Sequence, residues 1–396
     1  MPPITRGPLA GFYMPDYKRG SVVNLLSSII RSRGGRSPHA ELDGVPARSL
    51  ASARHVIYLL VDGLGEAQLT RLLREGRGRS FFGMHPRQVI STVFPATTAA
   101  AVTTFGTGAS PAEHGVLGWH LHLHDLGLVS TILLTSTRTG SPMAHEDFDL
   151  GEYLCTPSHI ATVPCRRELL SWAHIPRSRY SRANDPWTFR GGYRTLTGMV
   201  RQVATRAARR SRSVSYVYWP EYDSHCHEYG CFHRRTVSHF MQIDRALAQL
   251  VRLLQGTDTA LIVTADHGLV DTSNGVELRE VEGFYDHLAA LPSGDARQVQ
   301  CFVRPARVES FLDLVQTKLS RACVCVPGSY LLRKQAFGLG KPHRALENRV
   351  GDYTLLARPG YSFASTLPGA ESSFNKANHG GMSAEEVRVP LYAIRC

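Results

Sequence analysis

Three short, largely apolar runs constrain the fold of this chain more than any other feature of its sequence. They span residues 55–61, 214–219 and 260–264 and are rich in β-branched and aromatic side chains. Because a strand that is buried on both faces shows no alternation of polar and apolar residues, these runs predict parallel strands inside a sheet. Segments with helical periodicity lie between them, for example residues 193–209 and 236–254. We therefore expect an α/β fold of three layers, αβα, with a mostly parallel central sheet.

The length of the chain predicts one large core with additions. Its 396 residues exceed the size of about 250–300 residues at which single hydrophobic cores usually stop growing. Residues 1–53 are expected to form an N-terminal helix and connector that pack on the core, and residues 54–396 to form the main domain. Two stretches, about 121–190 and about 277–367, do not fit the alternation of strands and helices. We expect them to be cap-like insertions that cover the functional site.

The composition excludes several classes of protein. With 43% hydrophobic and 20% charged residues, the chain has the balance of a globular protein and not of a disordered or fibrous one. No apolar run approaches the roughly 20 residues that cross a bilayer, and the N-terminus has no apolar segment typical of a secretory signal. The eight cysteines form no Cys-x-x-Cys pair, so we expect reduced thiols. The expected location is the cytoplasm, without membrane contact.

The charge balance favours an anionic partner. The 45 lysine and arginine residues exceed the 33 aspartates and glutamates, which gives a formal net charge of +12. A positive field attracts phosphate-bearing molecules, from small esters to nucleic acids. We expect a small phosphate-bearing substrate, and nucleic acid binding is the less favoured alternative. No pattern in the sequence indicates an oligomeric state.

Acidic and histidine side chains lie where the three predicted strands end. Because ligands of open α/β sheets bind beyond the carboxyl ends of the strands, these side chains are expected to converge there. Carboxylates gathered in one place repel one another unless bound cations neutralise them. Mixed carboxylate and imidazole ligands suit zinc or manganese better than magnesium, so the sequence predicts two divalent ions, zinc with manganese as the alternative. The predicted metal ligands are Asp62, Asp223, His227, Asp266, His267 and His379.

A threonine-rich segment, residues 92–108, is the candidate source of a nucleophile. It opens with a proline-marked turn and continues with small residues that suit a helix packed closely on a sheet. A hydroxyl in the first turn of that helix would lie at the positive end of the helix dipole, where a phosphoryl group is also stabilised. The candidates are Thr98, Thr97 and Thr92.

Taken in order, these motifs resemble the alkaline phosphatase superfamily, most closely its nucleotide pyrophosphatase/phosphodiesterase branch. The resemblance extends from residue 56 to residue 391, outside the two cap-like stretches, and implies that residues 54–396 are an alkaline-phosphatase-like catalytic domain. One motif alone is weak evidence, whereas six in order are strong. The six motifs are Val61-Asp62-Gly63, Thr98, Gly108-x-x-Pro111-x-x-His114-Gly115, Asp223-x-x-x-His227, Asp266-His267-Gly268 and His379-Gly380-Gly381.

The resemblance implies a role for each candidate residue. One metal ion would be held by Asp223, His227 and His379, and the other by Asp62, Asp266 and His267. Thr98 would be the nucleophile, because its spacing from the motifs on either side matches the family pattern; Thr97 and Thr92 are the alternatives. The implied reaction is in-line attack by Thr98 on phosphorus, which forms a covalent phospho-threonine, followed by hydrolysis.

The resemblance favours a phosphodiesterase or nucleotide pyrophosphatase. The sequence departs from that branch in one place, because Thr98 is followed by Ala99, Ala100 and Ala101 where the branch has Phe-Pro-Asn. The departure concerns the nucleotide substrate more than the phosphoryl chemistry, so phosphomonoester or phosphonate hydrolysis is the first alternative. An alternative of another class is a basic nucleic-acid-binding protein with a vestigial metal site. A sulfatase is not expected, because no Cys-x-Pro-x-Arg motif is present.

Overall fold

The computed structural model of the chain describes residues 2–143, 149–183, 186–367 and 369–396. The strands are β1 (His55–Val61), β2 (Gln88–Ser91), β3 (His120–Leu123), β4 (Leu128–Thr131), β5 (Ser136–Thr137), β6 (Arg166–Trp172), β7 (Phe189–Tyr193), β8 (Ser213–Trp219), β9 (Thr259–Thr264), β10 (Val270–Asp271), β11 (Asn274–Glu277), β12 (Ser293–Asp295), β13 (Gln298–Cys301), β14 (Cys323–Pro327), β15 (Tyr353–Ala357), β16 (Tyr361–Ala364), β17 (Ala377–Asn378) and β18 (Arg388–Arg395). The α-helices are α1 (Val22–Ser32), α2 (Ala47–Ala51), α3 (Glu66–Arg74), α4 (Thr98–Thr107), α5 (Pro111–His114), α6 (Leu150–Leu154), α7 (Arg179–Ala183), α8 (Leu196–Ala207), α9 (Glu221–Tyr229), α10 (Arg234–Leu254), α11 (Val308–Leu314), α12 (Gly328–Arg333), α13 (Leu346–Val350) and α14 (Ala384–Val387).

A parallel sheet forms the centre of the fold. Within the described residues it has seven strands in the order β2, β18, β9, β1, β8, β6, β7. The strands from β9 to β7 are parallel, β18 pairs antiparallel with β9, and β2 pairs antiparallel with β18. All residues of β1 are buried, which explains the uninterrupted apolar run. The prediction of an α/β fold with a mostly parallel central sheet is confirmed.

Helices cover both faces of this sheet. Tyr58 of β1 stacks on Phe105 of α4, with ring centroids 6.4 Å apart. Val61, three residues further along β1, is in register with Trp219 of β8, and that indole stacks on His239 of α10 with centroids 5.9 Å apart. Because side chains three residues apart on a strand point to opposite faces, α4 and α10 lie on opposite sides of the sheet. The predicted three-layer arrangement is confirmed.

A second sheet is formed by segments inserted between the strands of the first. Its order is β14, β15, β13, β12, β3, β4, β5, and neighbouring strands are antiparallel. The stretch about 121–190 contributes β4 and β5 to this sheet, and it also contributes β6 and β7 to the large parallel sheet. The stretch about 277–367 contributes β12 to β15. Short β12 therefore joins two separate parts of the chain into one sheet.

Buried polar contacts tie the N-terminal segment to the core. His39 Nε2 lies 2.7 Å from one carboxylate oxygen of Glu113 in α5, and His159 Nε2 lies 3.3 Å from the other. The backbone N–H of Ser110 also donates to Glu113, at 2.8 Å. Burial raises the pKa of Glu113, but the hydrogen bonds from His159, His39 and Ser110 outweigh it and hold the pKa well below its usual range. The carboxylate is therefore ionised and accepts from three donors.

We expect Glu113→Gln to lower the free energy of unfolding by about 2 kcal/mol, because a neutral amide replaces a charged acceptor of three hydrogen bonds in a buried site. A carboxyl pKa that is lowered on folding gives stability above the unfolded value, about 4.3, and this stability is lost as the pH falls towards the folded pKa. Urea unfolding at pH 7 and pH 3.5 measures both effects. Glu309→Gln, at an exposed position of α11, is the control. An equal loss in the two variants would contradict this account.

Candidate active site

The carboxyl ends of three neighbouring strands bring three aspartates together. Asp62 directly follows β1, Asp266 lies two residues after β9, and Asp223 lies in the first turn of α9, just after β8. Because β1 pairs in parallel with both β8 and β9, the three strands end at the same edge of the sheet. The side chains singled out in the sequence are therefore neighbours in space.

Asp62, Asp266 and His267 form the first group of predicted ligands. His267 Nε2 lies 3.5 Å from Asp62 Oδ1 and 3.6 Å from Asp266 Oδ2. His267 Nδ1 lies 3.2 Å from the carbonyl oxygen of Gly268, a group that can accept a hydrogen bond from this nitrogen. Nε2 therefore points towards the two carboxylates, which is the orientation of a metal-binding imidazole.

Asp223, His227 and His379 form the second group. Asp223 Oδ2 lies 3.2 Å from His227 Nε2, and Asp223 Oδ1 lies 3.9 Å from His379 Nε2. The ring of His379 stacks on that of His267 with centroids 3.9 Å apart. Ligand atoms of Asp223, His267 and His379 lie within 4.8 Å of one another, as do those of the first group. His267 thus links the two groups, and the structure brings all six predicted ligands to one site.

In each of the three carboxylates, one oxygen contacts a hydrogen-bond donor or an imidazole, and the other has no hydrogen-bond partner among the described residues. Asp62 Oδ2 accepts a hydrogen bond from the Tyr218 hydroxyl, and Asp266 Oδ1 accepts from the backbone N–H groups of Gly63 and His267, both at 3.0 Å. Because an unpartnered buried carboxylate oxygen is costly, three of them at one site indicate that cations complete it. Among the described residues, the buried carboxylate oxygens without a hydrogen-bond partner here are Asp62 Oδ1, Asp223 Oδ1 and Asp266 Oδ2.

Burial and repulsion determine the protonation of this site. Burial raises the pKa of Asp62 well above its usual range, and Asp266 and Asp223 raise it further. Burial also raises the pKa of Asp266, although His267 acts in the opposite direction. Burial opposes protonation of His227, but Asp223 outweighs it and raises the pKa of His227 to about 9. A bound cation reverses this pattern, because it favours ionised carboxylates and neutral imidazoles.

The three candidate threonines have different partners. Thr98 is the first residue of α4, and its Oγ1 lies 3.0 Å from His267 Nε2. Thr97 is the N-cap of the same helix, and its hydroxyl donates to Asp295 Oδ2. Thr92 is fully buried and donates to the backbone carbonyl of Asp266. Of the three hydroxyls, that of Thr98 is the one in contact with the side chain of a predicted metal ligand.

Asp295, at the end of β12, is a carboxylate of this site that the sequence analysis did not identify. Its Oδ2 accepts the hydrogen bond from Thr97 and lies 4.0 Å from His379 Nδ1, and its Oδ1 accepts from the N–H of Ala296 at 2.8 Å. A Cβ at Gly380 would lie 2.8 Å from the Cβ of Asp295, so glycine permits this approach. In the sequence Asp295 follows Ser-Gly, which is typical of a turn, and no local pattern marks it as functional.

A further group of potential metal ligands, His39, Glu113 and His159, also has its ligand atoms within 4.8 Å of one another. Here the two oxygens of Glu113 are both hydrogen-bonded. In the described chain, no buried side-chain nitrogen or oxygen of these three residues lacks a partner. We therefore interpret this group as a hydrogen-bonded link between the N-terminal segment and the core.

Three comparisons with known proteins bear on the identity of the chain. The family described as Type I phosphodiesterase / nucleotide pyrophosphatase matches residues 56–382, which include all the predicted site residues. No curated protein sequence matches the chain.

Within the described residues, every helix is too short or too polar to cross a lipid bilayer.

Several solved structures are similar to this one. Murine ectonucleotide pyrophosphatase/phosphodiesterase 5 has a TM-score of 0.63 and 16% identity, over 85% of this chain and 87% of that chain. The human protein of the same name has a TM-score of 0.64 and 15% identity over the same shares. Phosphonoacetate hydrolase from Sinorhizobium meliloti 1021 has a TM-score of 0.63 and 15% identity, over 86% of this chain and 90% of that chain. These similarities show the fold, and the family match covers most of the sequence. The chain therefore belongs to the type I phosphodiesterase / nucleotide pyrophosphatase family and is a phosphoester hydrolase.

Proposed function

We propose that this hydrolase cleaves a phosphodiester or pyrophosphate bond of a nucleotide-type substrate through a covalent phospho-threonine at Thr98. The observation that carries the proposal is the position of the Thr98 hydroxyl, 3.0 Å from His267 Nε2 and next to carboxylates with free oxygens. A positioned nucleophile beside groups that bind cations is what phosphoryl transfer requires, since positioning and charge stabilisation supply most of its catalysis.

We propose that two divalent metal ions, zinc with manganese as the alternative, complete the site. Three carboxylates and three imidazoles suit these ions, and the free oxygens described above support the assignment. One ion would be held by Asp62, Asp266 and His267, beside Thr98, and the other by Asp223, His227 and His379. When bound, the ions stabilise charge on the phosphoryl oxygens and lower the pKa of the threonine hydroxyl.

The protein's own residues position the reacting atoms. Thr98 Oγ1 forms a bond to phosphorus while the bond from phosphorus to the leaving oxygen breaks, and water then cleaves the phospho-threonine and regenerates the hydroxyl. Because Thr98 begins α4, the N–H groups of that first turn have no partner within the helix and favour an anionic phosphoryl group. Tyr218 fixes one oxygen of Asp62 and so orients the other towards His267.

Two of the similar structures bear on the substrate. One is an inactive variant of the murine protein in complex with AMP, and the other is the Sinorhizobium meliloti phosphonoacetate hydrolase in complex with phosphonoacetate. The first favours a nucleotide-type phosphodiester for this chain. The second keeps phosphomonoester or phosphonate cleavage as the alternative, because the two neighbours differ little in their similarity to this chain, with TM-scores of 0.63 and 0.62 and identities of 16% and 14%.

The proposal is tested by hydrolysis of bis-p-nitrophenyl phosphate and p-nitrophenyl phosphate, with metal-free protein supplied with zinc or manganese. We expect metal-dependent turnover with a higher kcat/KM for the diester. A higher kcat/KM for the monoester would support the same phosphoryl chemistry, but it would favour the alternative substrate class, a phosphomonoester or phosphonate. Absence of metal-dependent turnover, together with tight and steeply salt-dependent binding to random DNA, would contradict the proposal and favour a nucleic-acid-binding protein.

We also propose the division into an N-terminal segment, residues 1–53, and a catalytic domain, residues 54–396, with insertions about 121–190 and about 277–367. The position of Asp295 supports this division, because an insertion contributes a carboxylate to the edge of the site. All eight cysteines are free thiols, which supports the proposed location in the reducing cytoplasm.

Asp295 is expected to act as a positioning residue. Asp295→Ala removes the acceptor of Thr97 and the carboxylate beside His379, so we expect zinc affinity to fall about 10-fold and kcat/KM to fall with it. Asp295→Asn keeps an acceptor oxygen and should recover part of kcat/KM. Competition with a chelating dye measures the affinity, with Asp286→Ala at an exposed position as the control. Equal zinc affinity in wild type and Asp295→Ala would show that Asp295 does not support the metal site.

A further inference from the structure

A cavity of about 580 Å³ lies on the side of α9 that faces away from the predicted metal ligands. Asp223 and His227 are four residues apart and share one face of α9, whereas His225 is about 200° from Asp223 around the helix axis. His225 lines the cavity, and its ring stacks on that of His239 of α10 with centroids 4.6 Å apart. The body of α9, about 10 Å across, therefore separates this cavity from the candidate active site.

The cavity has an excess of positive charge. Arg194, between β7 and α8, is exposed and forms no ion pair with a described residue. Arg235 of α10 donates through Nη1 to the Tyr229 hydroxyl at 2.9 Å, which leaves its other guanidinium N–H groups available. Among the described residues, Glu221 supplies the one carboxylate of the lining, and it pairs with neither arginine. Two guanidinium groups with unused donors are suited to an oxyanion such as phosphate.

Neutral groups of the same cavity add to its capacity for an anion. The hydroxyls of Thr197 and Ser238 and the amide of Gln242 line it at exposed positions. Nδ1 of His225 is buried and has no hydrogen-bond partner among the described residues. The cavity also contains the N-cap of α8, Thr195, and the positive end of a helix dipole favours an anion.

A second cavity, of about 440 Å³, continues the first along α10. The two cavities share Leu196, Thr197 and Gln242, so they form one groove between α8 and α10. Arg245 and Arg252 line the second cavity, and both are exposed. In the described part of the chain, no carboxylate lines this cavity. The positive charge therefore extends beyond the first cavity.

The arginines of this groove follow the periodicity of α10. Arg235, Arg245 and Arg252, together with Gln242 and Gln249, recur at intervals of three, four or seven residues and so lie on one face of the helix. At 1.5 Å per residue, Arg235 and Arg252 are about 25 Å apart along the helix axis. A row of positive charge of this length fits an anion with several charged groups better than a single small ion.

We propose that this basic groove, defined by Arg194, Arg235, Arg245 and Arg252, is a second anion site and binds a molecule with several linked phosphate groups. One phosphate group is bound by Arg194 and Arg235 beside His225, and the next groups extend along α10 towards Arg245. The groove contains none of the predicted metal ligands. Inorganic polyphosphate and the phosphate chain of a nucleotide share this chemistry.

The number of phosphate ions bound to the zinc-loaded protein tests the site. In equilibrium dialysis with radiolabelled inorganic phosphate, we expect the double variant Arg194→Gln with Arg235→Gln to bind about one phosphate per chain fewer than wild type, because it lacks both guanidinium groups of the first cavity. Circular dichroism checks that the variant is folded. The matched control, Arg307→Gln with Arg321→Gln, removes the same charge at exposed positions of the second insertion and should bind as much phosphate as wild type. Equal numbers in wild type and the groove variant would overturn the inference.

Calorimetry on the metal-free protein tests the length of the ligand, because neither zinc chelation nor turnover interferes there. We expect tripolyphosphate to bind about 10-fold more tightly than phosphate, which is the gain from one or two further exposed ion pairs. Arg245→Gln should reduce this advantage to below about 3-fold and leave phosphate binding unchanged, since Arg245 lines the continuation of the groove. Arg307→Gln should keep the full advantage. Equal affinities of wild type for the two anions would overturn the assignment to a chain of phosphate groups.

Further measurements identify the source of the chain and the independence of the groove. Adenosine triphosphate that binds more tightly than tripolyphosphate would identify a nucleotide, and equal affinities would identify an inorganic chain. In phosphate-free buffer, the double variant of Arg194 and Arg235 should hydrolyse bis-p-nitrophenyl phosphate with the kcat/KM of wild type. A loss of more than about 10-fold would place these arginines in the active site and overturn the inference. Absence of hydrolysis by wild type would overturn the proposed function alone, because the phosphate count does not depend on turnover.

Discussion

Thr98→Ala is expected to lower kcat/KM for bis-p-nitrophenyl phosphate by about 10,000-fold or more, because loss of the nucleophile removes the covalent route and leaves only binding and charge stabilisation. The hydroxyl of Thr98 lies 3.0 Å from His267 Nε2, and alanine has no atom there that can attack phosphorus. Thr98→Ser keeps an oxygen at this position and should retain activity to within about 100-fold of wild type.

The covalent step has a readout of its own. When turnover is quenched with acid, intact-mass measurement should detect a phosphoryl adduct on wild type and on Thr98→Ser, and none on Thr98→Ala. Thr97→Val is the neighbouring control, since it removes the hydroxyl bonded to Asp295 and should cost about 10-fold through loss of positioning and of the N-cap. Full activity in Thr98→Ala with no adduct in Thr97→Val would move the nucleophile to Thr97.

The centre of the fold could be predicted because burial on both faces leaves an unambiguous pattern. β1, β8 and β9 are buried throughout, and each has a largely apolar sequence. β6 belongs to the same sheet but contains Arg166, Arg167 and Glu168. The buried Glu168 carboxylate accepts hydrogen bonds from Arg206 of α8, at 3.1 Å from its Nε. The charged residues of this buried ion pair hide the apolar pattern of the strand, so the sequence predicts an insertion here.

The direction of the strands predicts which edge of the sheet carries the site, but it does not predict every residue of that site. Asp295 reaches the site because β12 pairs with both β13 and β3, and such pairing depends on segments far apart in the sequence. A cavity beside Thr98, lined by residues between 98 and 218, likewise combines segments that are distant in the sequence. Tertiary contacts between distant segments have no periodic signature, which is why sequence patterns miss them.

Zinc is expected to raise the free energy of unfolding of the metal-free protein by about 4 kcal/mol for each ion bound at a free concentration about 1,000 times its Kd, because it binds the folded chain. The structural reason is the set of buried carboxylate oxygens without a partner in the described chain, on Asp62, Asp223 and Asp266. Urea unfolding in the presence of a chelator and of buffered free zinc measures the difference.

The increase in the free energy of unfolding that zinc causes is expected to become larger as the pH rises from 6 to 9. Asp62 and Asp266 have raised pKa values in the folded protein, so their stabilising contribution is complete below the usual carboxyl range and is lost as the pH rises. His227, whose pKa is raised to about 9, stabilises fully below about 6.5 and loses this contribution as the pH passes through its folded pKa. The free energy of unfolding of the metal-free protein therefore falls as the pH rises. Zinc must displace these protons, so its affinity for the folded protein increases over the same range.

The variant Asp62→Asn shows whether zinc stabilises the protein by binding at this site or elsewhere on the chain. The amide removes one of the charges that repel one another, so the metal-free variant is expected to be more stable than wild type at pH 8, while its zinc increment falls by about 4 kcal/mol, the contribution of the ion that Asp62 would hold. Glu113→Gln alters the other group of histidine and glutamate side chains and is expected to keep the full increment. An increment that is unchanged in Asp62→Asn and falls in Glu113→Gln would place an ion at that second group. The carboxyl ends of β1, β8 and β9 would then have to be stabilised in another way, because their buried carboxylates repel one another in the absence of a cation.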